Sequence, residues 1–471
     1  MGESFEAKRK SSRRHSLPAA LVLCLGASIA AAQSASTQSV ADPPAQVDFR
    51  QVVQKAKDRV FPAVVFIRCL TESHDAGKKV TQEVSGSGVL VSPDGEVLTN
   101  WHVIDKAAEV RCLLYDGTPY YADILGSDKD TDLALIRLRR EEGAEPLPHA
   151  ALADSSLLTE GDFVMAMGAP WGMSRSVTIG IISSVRRFLP ENSEYSLWLQ
   201  TDAAISPGNS GGPLVNTEGE VVGINTRGVM AGGDMGFSVP SNTIATLLPR
   251  LRESGQVQWS WTGLHLQPLR DFNRNMYFEG SHGVIVAGTD PDSPARRAGI
   301  ETRDRLVEVA GVAVSAITEE DLPEIRRRLG LLPENQATQI VVERGGERLA
   351  LELTPRDKGR VEGEEFDCPR WDLTVKAINQ FDNPDLHFHR QTGVFILATR
   401  YPGNASTAGL RSQDILIEVD GRAINTLDDV REVHVESLKQ LPGKRRLMVN
   451  VLRNGQPRLV VLDIARDYER R

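Results

Sequence analysis

Residues 206–225, SPGNSGGPLVNTEGEVVGIN, place a glycine-rich turn before a short apolar run. Other short apolar runs, separated by Gly, Asp and Pro, occur at residues 63–68, 86–91, 96–100, 132–138, 162–168 and 179–185. Short strands at close spacing, with no long helices between them, indicate an all-β barrel or sandwich. We therefore predict a mainly β domain that continues to about Pro240 and is followed by a short helix over residues 242–254.

The composition is that of an ordinary globular protein. Of the 471 residues, 41% are hydrophobic and 25% are charged, a balance that allows several apolar cores, and the length suggests about three domains. The formal net charge is -9, and no long basic run occurs after residue 16. Because nucleic-acid-binding surfaces are basic, the sequence does not support a nucleic-acid partner.

The N-terminus has the pattern of an export signal. Basic residues between Lys8 and Arg14 precede an apolar stretch, residues 17–32, that ends in three alanines. This order is typical of a signal peptide, and the stretch is shorter than the roughly 20 residues of a membrane span. We predict a signal peptide at residues 1–32, a flexible tether at 33–47 and a periplasmic or otherwise extracytoplasmic protein. An uncleaved N-terminal anchor stays open.

Removal of this leader leaves three cysteines, Cys69, Cys112 and Cys368. Three cysteines do not form a disulfide framework. Cys69 and Cys112 stand in apolar, strand-like runs, so we predict two buried free thiols. A disulfide between them stays open if their strands are neighbours.

The second half of the chain contains an internal repeat. Its two copies align without gaps from Gly283 and from Gly393, 110 residues apart. Each copy also has a tryptophan before it and a helix-capping box after it: Trp261 and Trp371, Thr318 with Asp321, and Thr426 with Asp429. The polar stretch 356–365, RDKGRVEGEE, is predicted to be a linker between the copies.

Ser210 stands within the glycine-rich turn. A nucleophilic serine needs a tight turn whose backbone N–H groups converge on one point, the oxyanion hole, where negative charge develops during attack on a carbonyl. The flanking glycines allow this geometry, so we predict an oxyanion hole at Gly208, Asn209 and Ser210. An ordinary glycine-rich hairpin is the alternative for this motif alone.

Two further residues supply what a serine nucleophile requires. His102 follows a strand-like run in LTNWHVID, and Asp132 stands at the entry to an apolar strand in DKDTDLALIRL. A serine hydroxyl is a weak nucleophile without a base, and His, Asp, Ser is one of the known chain orders of a catalytic triad. Taken singly, the histidine could be structural and the aspartate a strand cap; together the three residues predict a triad.

The segments around these residues resemble those of a known protease family. TNWHV, DTDLAL and GNSGGPL are similar to the signature segments of the HtrA/Deg family of trypsin-like serine proteases, as are TDAAI, GINT and GFSVP. The repeats resemble PDZ domains through SPARRAGI with DRLVEVAG and NASTAGL with DILIEVDG. The resemblance implies a chymotrypsin-like double β-barrel at residues 48–252 and PDZ domains, which are α+β, at 256–356 and 366–466.

This resemblance also implies a function. Such an enzyme is a serine endopeptidase that degrades misfolded or unfolded proteins outside the cytoplasm without ATP, with PDZ domains that bind substrate or regulatory peptides. Acyl transfer to Ser210 needs no metal, nucleotide or organic cofactor, and His387 and His389 have no evident third metal ligand.

The same resemblance implies a homotrimer or a larger homo-oligomer. Trimer contacts are expected in the segment from Asp48 to Val60, with Phe49 and Phe61 as apolar anchors; the alternative is that this segment packs on its own barrel. Arg187 falls in the loop that senses activation in this family. Residues 71–84 are short where cage-forming relatives have a long loop, which puts a resting hexamer in doubt.

Substrate preference is predicted from the residues before the nucleophile. In trypsin-like barrels the floor of the specificity pocket lies six residues before the serine, which is Ala204 here. Ala204 and Ile205 form a small apolar wall without the carboxylate that selects Lys or Arg, so cleavage is expected after Val, Ala or Ile. Ile224, Asn225 and Thr226 are predicted to be the edge strand that pairs with the substrate backbone.

The two repeats differ in the loop that would capture a peptide carboxylate. PDZ domains bind an extended peptide at a sheet edge and hold its C-terminus in a nest of backbone N–H groups. The first repeat places Trp261, Thr262, Gly263 and Leu264 in this loop. At the 110-residue offset, Leu373 replaces the glycine and Asp372 adds a like charge, so we predict that only the first repeat binds C-terminal peptides well.

Two other functions stay open. One is a membrane-tethered protease that cuts a single partner at a specific site, and a retained N-terminus would favour it. The other is a PDZ chaperone or scaffold whose protease activity is secondary. The intact set of His, Asp and Ser argues against a purely binding role.

Overall fold

The computed structural model of the protein describes residues 48–170, 175–190, 192–229, 235–273 and 281–468. The predicted signal peptide and tether, residues 1–47, lie outside the described residues. Within the described ranges, no helix is both long and apolar enough to cross a membrane.

Two closed β-barrels follow each other along the first half of the chain, as the closely spaced apolar runs predicted. The strands of the first barrel are hydrogen-bonded in the order β1-β2-β3-β6-β5-β4. Its elements are α1 (Phe49–Val60), β1 (Val64–Asp75), β2 (Lys78–Leu90), β3 (Glu96–Thr99), α2 (Trp101–Ile104), β4 (Ala107–Leu113), β5 (Pro119–Asp128) and β6 (Leu133–Leu138).

The second barrel has the strand order β10-β11-β12-β9-β8-β7. Its elements are β7 (Phe163–Gly168), β8 (Ser176–Phe188), β9 (Leu197–Thr201), β10 (Pro213–Val215), β11 (Val221–Val229), β12 (Met235–Pro240) and the predicted exit helix α3 (Ser241–Ser254). That helix ends at Gly255, whose φ of 73° is left-handed and suits glycine.

The barrel interiors are built from the apolar runs seen in the sequence. Ile67 of β1 and Leu135 of β6 are fully buried in the first barrel. Cys69 and Cys112 are buried free thiols, as predicted, on the neighbouring strands β1 and β4. Burial raises the pKa of the Cys69 thiol to about 12, so this thiol stays protonated and unreactive at neutral pH.

The first repeat is a sheet ordered β14-β15-β16-β18-β19, with β17 paired to β16 and a separate β13-β20 pair. Its elements are β13 (Ser260–Trp261), β14 (Leu264–Gln267), α4 (Leu269–Asn273), β15 (Val284–Thr289), α5 (Pro294–Arg297), β16 (Arg305–Val309), β17 (Val312–Ala313), α6 (Leu322–Gly330), β18 (Thr338–Arg344), β19 (Glu347–Leu353) and β20 (Arg356–Asp357).

The second repeat has the same strand order, β22-β23-β24-β26-β27, and an additional edge strand, β21. Its elements are β21 (Glu365–Cys368), β22 (Leu373–Ala377), α7 (Pro384–His389), β23 (Val394–Thr399), α8 (Asn404–Ala408), β24 (Ile415–Val419), β25 (Arg422–Ala423), α9 (Leu427–Lys439), β26 (Arg446–Arg453) and β27 (Gln456–Asp463). Both predicted capping boxes are present, at Thr318 and at Thr426. Both repeats are therefore PDZ-like.

The polar stretch 356–365, predicted to be a linker between the repeats, also contacts the barrels. The side chain of Lys358 is only 4% exposed, and its ammonium lies 3.1 Å from Asp130 and 3.3 Å from Glu194, both in the barrels. It also lies over the ring of Tyr195, 4.4 Å from the centroid. The composition does not reveal these contacts, because a sequence does not distinguish a buried, paired lysine from a solvated one.

Candidate active site

His102 and Asp132 meet in the first barrel, on elements far apart in sequence. His102 lies on the short helix α2, and its Nδ1 atom is 2.9 Å from each carboxylate oxygen of Asp132. The backbone N–H of His102 also donates to Asp132 Oδ1 over 3.1 Å. Asp132 stands directly before β6 with a φ of 55°, a left-handed conformation that Asp tolerates better than most residues. The Asp132 carboxylate therefore contacts both the ring and the backbone of His102, which fixes the orientation of the imidazole.

Sequence reasoning missed the catalytic-site contact of the Thr226 hydroxyl. Thr226 was predicted only as a substrate-pairing residue, yet its Oγ1 donates a hydrogen bond to Asp132 Oδ2. Thr226 is buried on β11 of the second barrel, so this bond ties the aspartate of one barrel to the other. A threonine in an apolar strand carries no sequence signal for such a contact.

The Ser210 hydroxyl lies between the barrels, beside this pair. It donates to the backbone carbonyl of Thr226 over 2.9 Å and makes no hydrogen bond with His102 among the described residues. Ser210 and Asp132 thus share a neighbour, because the carbonyl of Thr226 contacts the serine and its hydroxyl contacts the aspartate.

The loop around Ser210 has the shape that its glycines predicted. Gly208 and Gly211 have φ values of 102° and 84°, which only glycine adopts readily. Within the described part of the chain, the N–H groups of Gly208 and Ser210 donate to no backbone acceptor, so both are available to an oxyanion. Asn209 was predicted with them, but its N–H donates to the Ser206 carbonyl over 2.9 Å. The Asn209 N–H is therefore not available to an oxyanion, which corrects the prediction, and this residue stabilises the turn instead.

Ser87 of β2 holds this loop from the first barrel. Its hydroxyl donates to the Gly208 carbonyl over 2.6 Å and accepts from the Ala169 N–H over 2.8 Å. Its backbone N–H donates to the Ser210 carbonyl over 2.8 Å. Ser87 is fully buried, and sequence reasoning placed it only within a strand-like run.

Ala204 and Ile205, the predicted pocket residues, pack against the second barrel. The Ala204 carbonyl accepts from the Thr178 hydroxyl over 2.8 Å, which anchors this segment to β8. A Cβ placed on Gly236 would be 2.7 Å from Ile205 Cδ1, and one on Gly228 would be 2.5 Å from the Ile205 carbonyl oxygen. The Ile205 side chain therefore packs closely against Gly236, and the Ile205 backbone packs against Gly228.

The predicted edge strand is only partly an edge. Ile224 pairs with both Pro213 and Val239, and Asn225 is fully buried with its amide donating to the Pro213 carbonyl over 3.1 Å. Ile224 and Asn225 therefore cannot pair with a substrate, which corrects the sequence prediction. Beyond Asn225, β11 pairs only with β12 among the described residues, because β10 does not extend alongside it there. The free edge of β11 therefore begins at Thr226.

Arg187 lies on strand β8 rather than in a loop. Its Nε atom donates to Gln200 Oε1 over 2.8 Å, across to β9, because the alternation of the strand turns it towards the barrel wall. Its neighbour Arg186 instead contacts the first repeat, with 3.2 Å between its guanidinium and Asp321 Oδ1.

The segment expected to make trimer contacts has one exposed and one buried aromatic anchor. Phe49 is 40% exposed and its ring centroid lies 4.8 Å from that of Phe163, which is 52% exposed. Phe61 is buried, and Ala56 and Val60 of α1 belong to the core of the first barrel. The helix thus packs on its own barrel and leaves an aromatic pair at the surface.

The peptide loop of the first repeat opens on a cavity of about 630 Å³. Trp261, Thr262, Gly263 and Leu264 all line it, as do His387 and Phe388 of α7. Gly263 has a φ of 70°, in agreement with the predicted need for glycine. The guanidinium of Arg356 lies 4.5 Å from the centroid of the Trp261 ring.

In the second repeat, the residue equivalent to Gly263 is not the one that the 110-residue offset predicted. Leu264 pairs with Thr289 and Leu373 pairs with Thr399, so Asp372, not Leu373, is equivalent to Gly263. Asp372 is left-handed, with a φ of 57°. The gap-free alignment fails here because the two loops differ by one residue in length.

We predicted that the charge of Asp372 would lie beside the carboxylate of a bound peptide. The structure instead buries this side chain. The side chain is 2% exposed, and its carboxylate accepts from the Asn404 N–H over 2.8 Å at the start of α8. A Cβ on Gly263 would be 2.3 Å from the Ser293 Cβ. The second repeat has Gly403 where the first has Ser293, and this glycine leaves room for the aspartate.

Comparisons with known proteins agree with this geometry. A model of the trypsin-like peptidase domain matches residues 86–224, which include all three predicted triad residues, and a model of the PDZ domain matches residues 285–344. The chain is 34% identical to a probable periplasmic serine endoprotease, DegP-like, of Halomonas elongata, over 81% of this chain and 79% of that protein. A protein of the same description from Hahella chejuensis is 33% identical over 81% and 80%. A solved structure of the HtrA-type protease AlgW with a tripeptide matches 64% of this chain and 96% of that chain, with a TM-score of 0.57 and 30% identity.

Proposed function

The chain belongs to the HtrA family of serine proteases and is a serine endopeptidase, and we propose that His102, Asp132 and Ser210 are its catalytic triad. The observation that carries this proposal is the pair of 2.9 Å contacts between His102 Nδ1 and the Asp132 carboxylate. These contacts hold the imidazole in one orientation and stabilise its charged form. The Ser210 loop, with two unused N–H groups, lies beside it.

In the proposed mechanism, substrate binding frees the nucleophile. The Thr226 carbonyl lies at the start of the free strand edge, where a substrate backbone N–H would bind. Since that carbonyl now accepts from Ser210 Oγ, an arriving N–H replaces the serine hydroxyl. Ser210 then rotates towards His102, which takes its proton as Oγ attacks the scissile carbonyl.

The remaining steps are those of acyl transfer. The Gly208 and Ser210 N–H groups stabilise the oxyanion of the tetrahedral intermediate. His102 protonates the leaving amine, and water then hydrolyses the acyl-enzyme with His102 again acting as the base.

Replacement of the nucleophile tests the assignment. We expect Ser210→Ala to lower turnover of an unfolded casein-like substrate by roughly a million-fold, with unchanged circular dichroism and thermal midpoint. His102→Ala is expected to be similarly severe. Ser156→Ala is the control, because its hydroxyl only contacts the surface residue Asp154. Substantial residual cleavage by the folded Ser210→Ala protein would show that the triad is assigned wrongly.

We further propose that the substrates are misfolded or unfolded proteins. The proposed apolar pocket at Ala204 and Ile205 suits small or medium aliphatic residues, which are usually buried in folded proteins. Such a preference by itself directs cleavage to unfolded chains. Sequencing of the cut sites tests it: cleavage mainly after Lys or Arg would contradict the proposed pocket.

The domain organisation is proposed as a protease at residues 48–252 and PDZ domains at 256–356 and 366–466. For the second PDZ domain the support is the strand order that it shares with the first. The open loop at Gly263 supports binding of apolar C-terminal peptides by the first domain.

Location and assembly are also proposed. The relatives are described as periplasmic, and we propose that the mature protein begins near Gln33 in an extracytoplasmic compartment, which N-terminal sequencing tests. The exposed pair of Phe49 and Phe163 supports a homotrimer. Light scattering that gives a monomer mass at micromolar concentration would contradict the trimer.

A further inference from the structure

The second repeat has a strand on an edge that is open in the first. β21, the first strand of the second repeat, pairs antiparallel with β22, from Glu365 opposite Lys376 to Cys368 opposite Leu373. The equivalent strand of the first repeat, β14, pairs only with β15 among the described residues. PDZ domains bind extended peptides by adding them to this kind of edge.

The position and direction of β21 are those of such a peptide. Phe366 lies against α9, with its ring centroid 6.1 Å from that of His434 and 5.3 Å from the Arg431 guanidinium. The segment therefore lies between β22 and α9, where a peptide groove is expected. Cys368, at the C-terminal end of β21, pairs with Leu373 at the start of β22, and residues 369–372 join the two strands in a short turn.

Side chains along the segment are recognised individually. The Glu364 carboxylate lies 2.6 Å from Arg431, and Glu365 lies 3.7 Å from the ammonium of Lys376. Asp367 accepts from the Thr374 hydroxyl over 2.6 Å. The groove thus offers cations and a hydroxyl donor to an acidic segment, and an aromatic-lined site to Phe366.

We propose that residues 364–367 are a resident ligand of the second repeat. The groove selects extended acidic peptides with an aromatic residue. Such a peptide binds from solution only after residues 364–367 have left the groove. Because residues 364–367 are covalently held next to this groove, their effective concentration there is in the millimolar range. This accounts for the occupation of the groove by so short a segment. This proposal does not depend on the triad or on the proposed substrates.

Departure of the linker would also loosen the second repeat from the barrels. Glu365 lies 3.0 Å from Lys106 of the first barrel, and the neighbouring Glu362 pairs with Lys129 on the loop that leads to Asp132. The same segment therefore fills the groove and connects it to the protease. A competing acidic peptide would break both sets of contacts.

The test is a direct titration. The probe is a fluorescently labelled peptide of residues 361–367, VEGEEFD, and the protein is the full chain carrying Ser210→Ala so that the probe is not cleaved. Fluorescence anisotropy should show at least a tenfold tighter Kd when Phe366→Ala removes the aromatic contact of the linker. Leu459→Ala is the matched control, because Leu459 is 69% exposed on β27 of the same repeat.

Two further variants keep the outcome decisive. Glu364→Lys reverses the contact with Arg431 at a half-exposed position, so it weakens the linker without disturbing the core and should also tighten probe binding. Adding Arg431→Ala to Phe366→Ala should abolish the gain, which places the probe in this groove rather than on the first repeat. If the folded Phe366→Ala and Glu364→Lys proteins bind the probe no better than the parent, or if the gain survives Arg431→Ala, the proposal is overturned.

Discussion

The hydroxyl of Ser87 in the first barrel donates a 2.6 Å hydrogen bond to the carbonyl of Gly208 in the nucleophile loop of the second barrel. This bond fixes the peptide group between Gly208 and Asn209, which lies in the turn that connects Gly208 and Ser210, the two residues whose N–H groups are proposed to hold the oxyanion. Ser87 contacts no reacting atom and is a positioning residue. The active site is thus completed by a contact across the two barrels.

Ser87→Ala should lower kcat by about tenfold to a hundredfold and leave KM within about twofold, because the loop geometry matters most when charge develops on the oxyanion. The measurement is steady-state cleavage of a fluorogenic peptide with an aliphatic residue before the scissile bond. Ser156→Ala should have no effect. A rise in KM alone would show that Ser87 supports substrate binding rather than the oxyanion hole.

Ile205→Ala should widen the specificity pocket and shift preference from Val or Ala towards Leu or Met by roughly tenfold in relative kcat/KM. The reason is that the Ile205 side chain packs against Gly236, and its truncation would leave space beside the proposed pocket. Ile179→Ala serves as the control, since Ile179 is 45% exposed on the barrel surface. An unchanged profile of cut sites would place the pocket elsewhere.

Lys358→Met should destabilise the protein by about 2–3 kcal/mol, because it removes the charged hydrogen bonds of a buried ammonium to Asp130 and Glu194. Burial already raises the pKa of Asp130, and the ammonium of Lys358 opposes that rise. Thermal unfolding measures the effect. Lys79→Met removes an ion pair with Glu72 in which both side chains are at least 40% exposed and should cost less than about 1 kcal/mol; equal losses for the two variants would contradict the prediction.

Acidification should destabilise the second repeat through His434. Burial lowers the pKa of His434 to about 4, whereas an unfolded histidine has a pKa of about 6.5. The unfolded state therefore binds the proton first, and stability is lost as pH falls from about 6.5 to 4, by about 2 kcal/mol at pH 5. Hydrogen exchange of β22 at pH 7 and pH 5 reports this loss, after correction for the intrinsic exchange rates.

His434→Phe should remove most of that pH dependence, since the ring packs edge-on against Trp371 at 5.2 Å and Nε2 has no hydrogen-bond partner to lose. His149→Phe is the control at an exposed position. If the His434→Phe protein retains the full pH response, another group is responsible for it.

Local patterns in the sequence were sufficient for the β class, the exit helix, the internal repeat and both capping boxes. They also named His102, Asp132 and Ser210 as the proposed triad, through short segments that resemble those of the HtrA/Deg family. Glycines around Ser210 and the aspartate before β6 take the left-handed conformations that these residue types permit. Such features depend on a few consecutive residues, and a sequence shows them directly.

The tertiary structure decided everything that depends on residues far apart in the chain. Thr226 reaches Asp132, Ser87 reaches Gly208 and Lys358 reaches Asp130 only because the barrels and repeats pack together. Strand pairing buried Ile224 and Asn225 and left Thr226 at the edge, and one residue of loop length made Asp372 the equivalent of Gly263. Burial and pairing partners are properties of the folded chain, so a threonine, a serine and a charged linker gave no sign of these roles before the fold brought their partners to them.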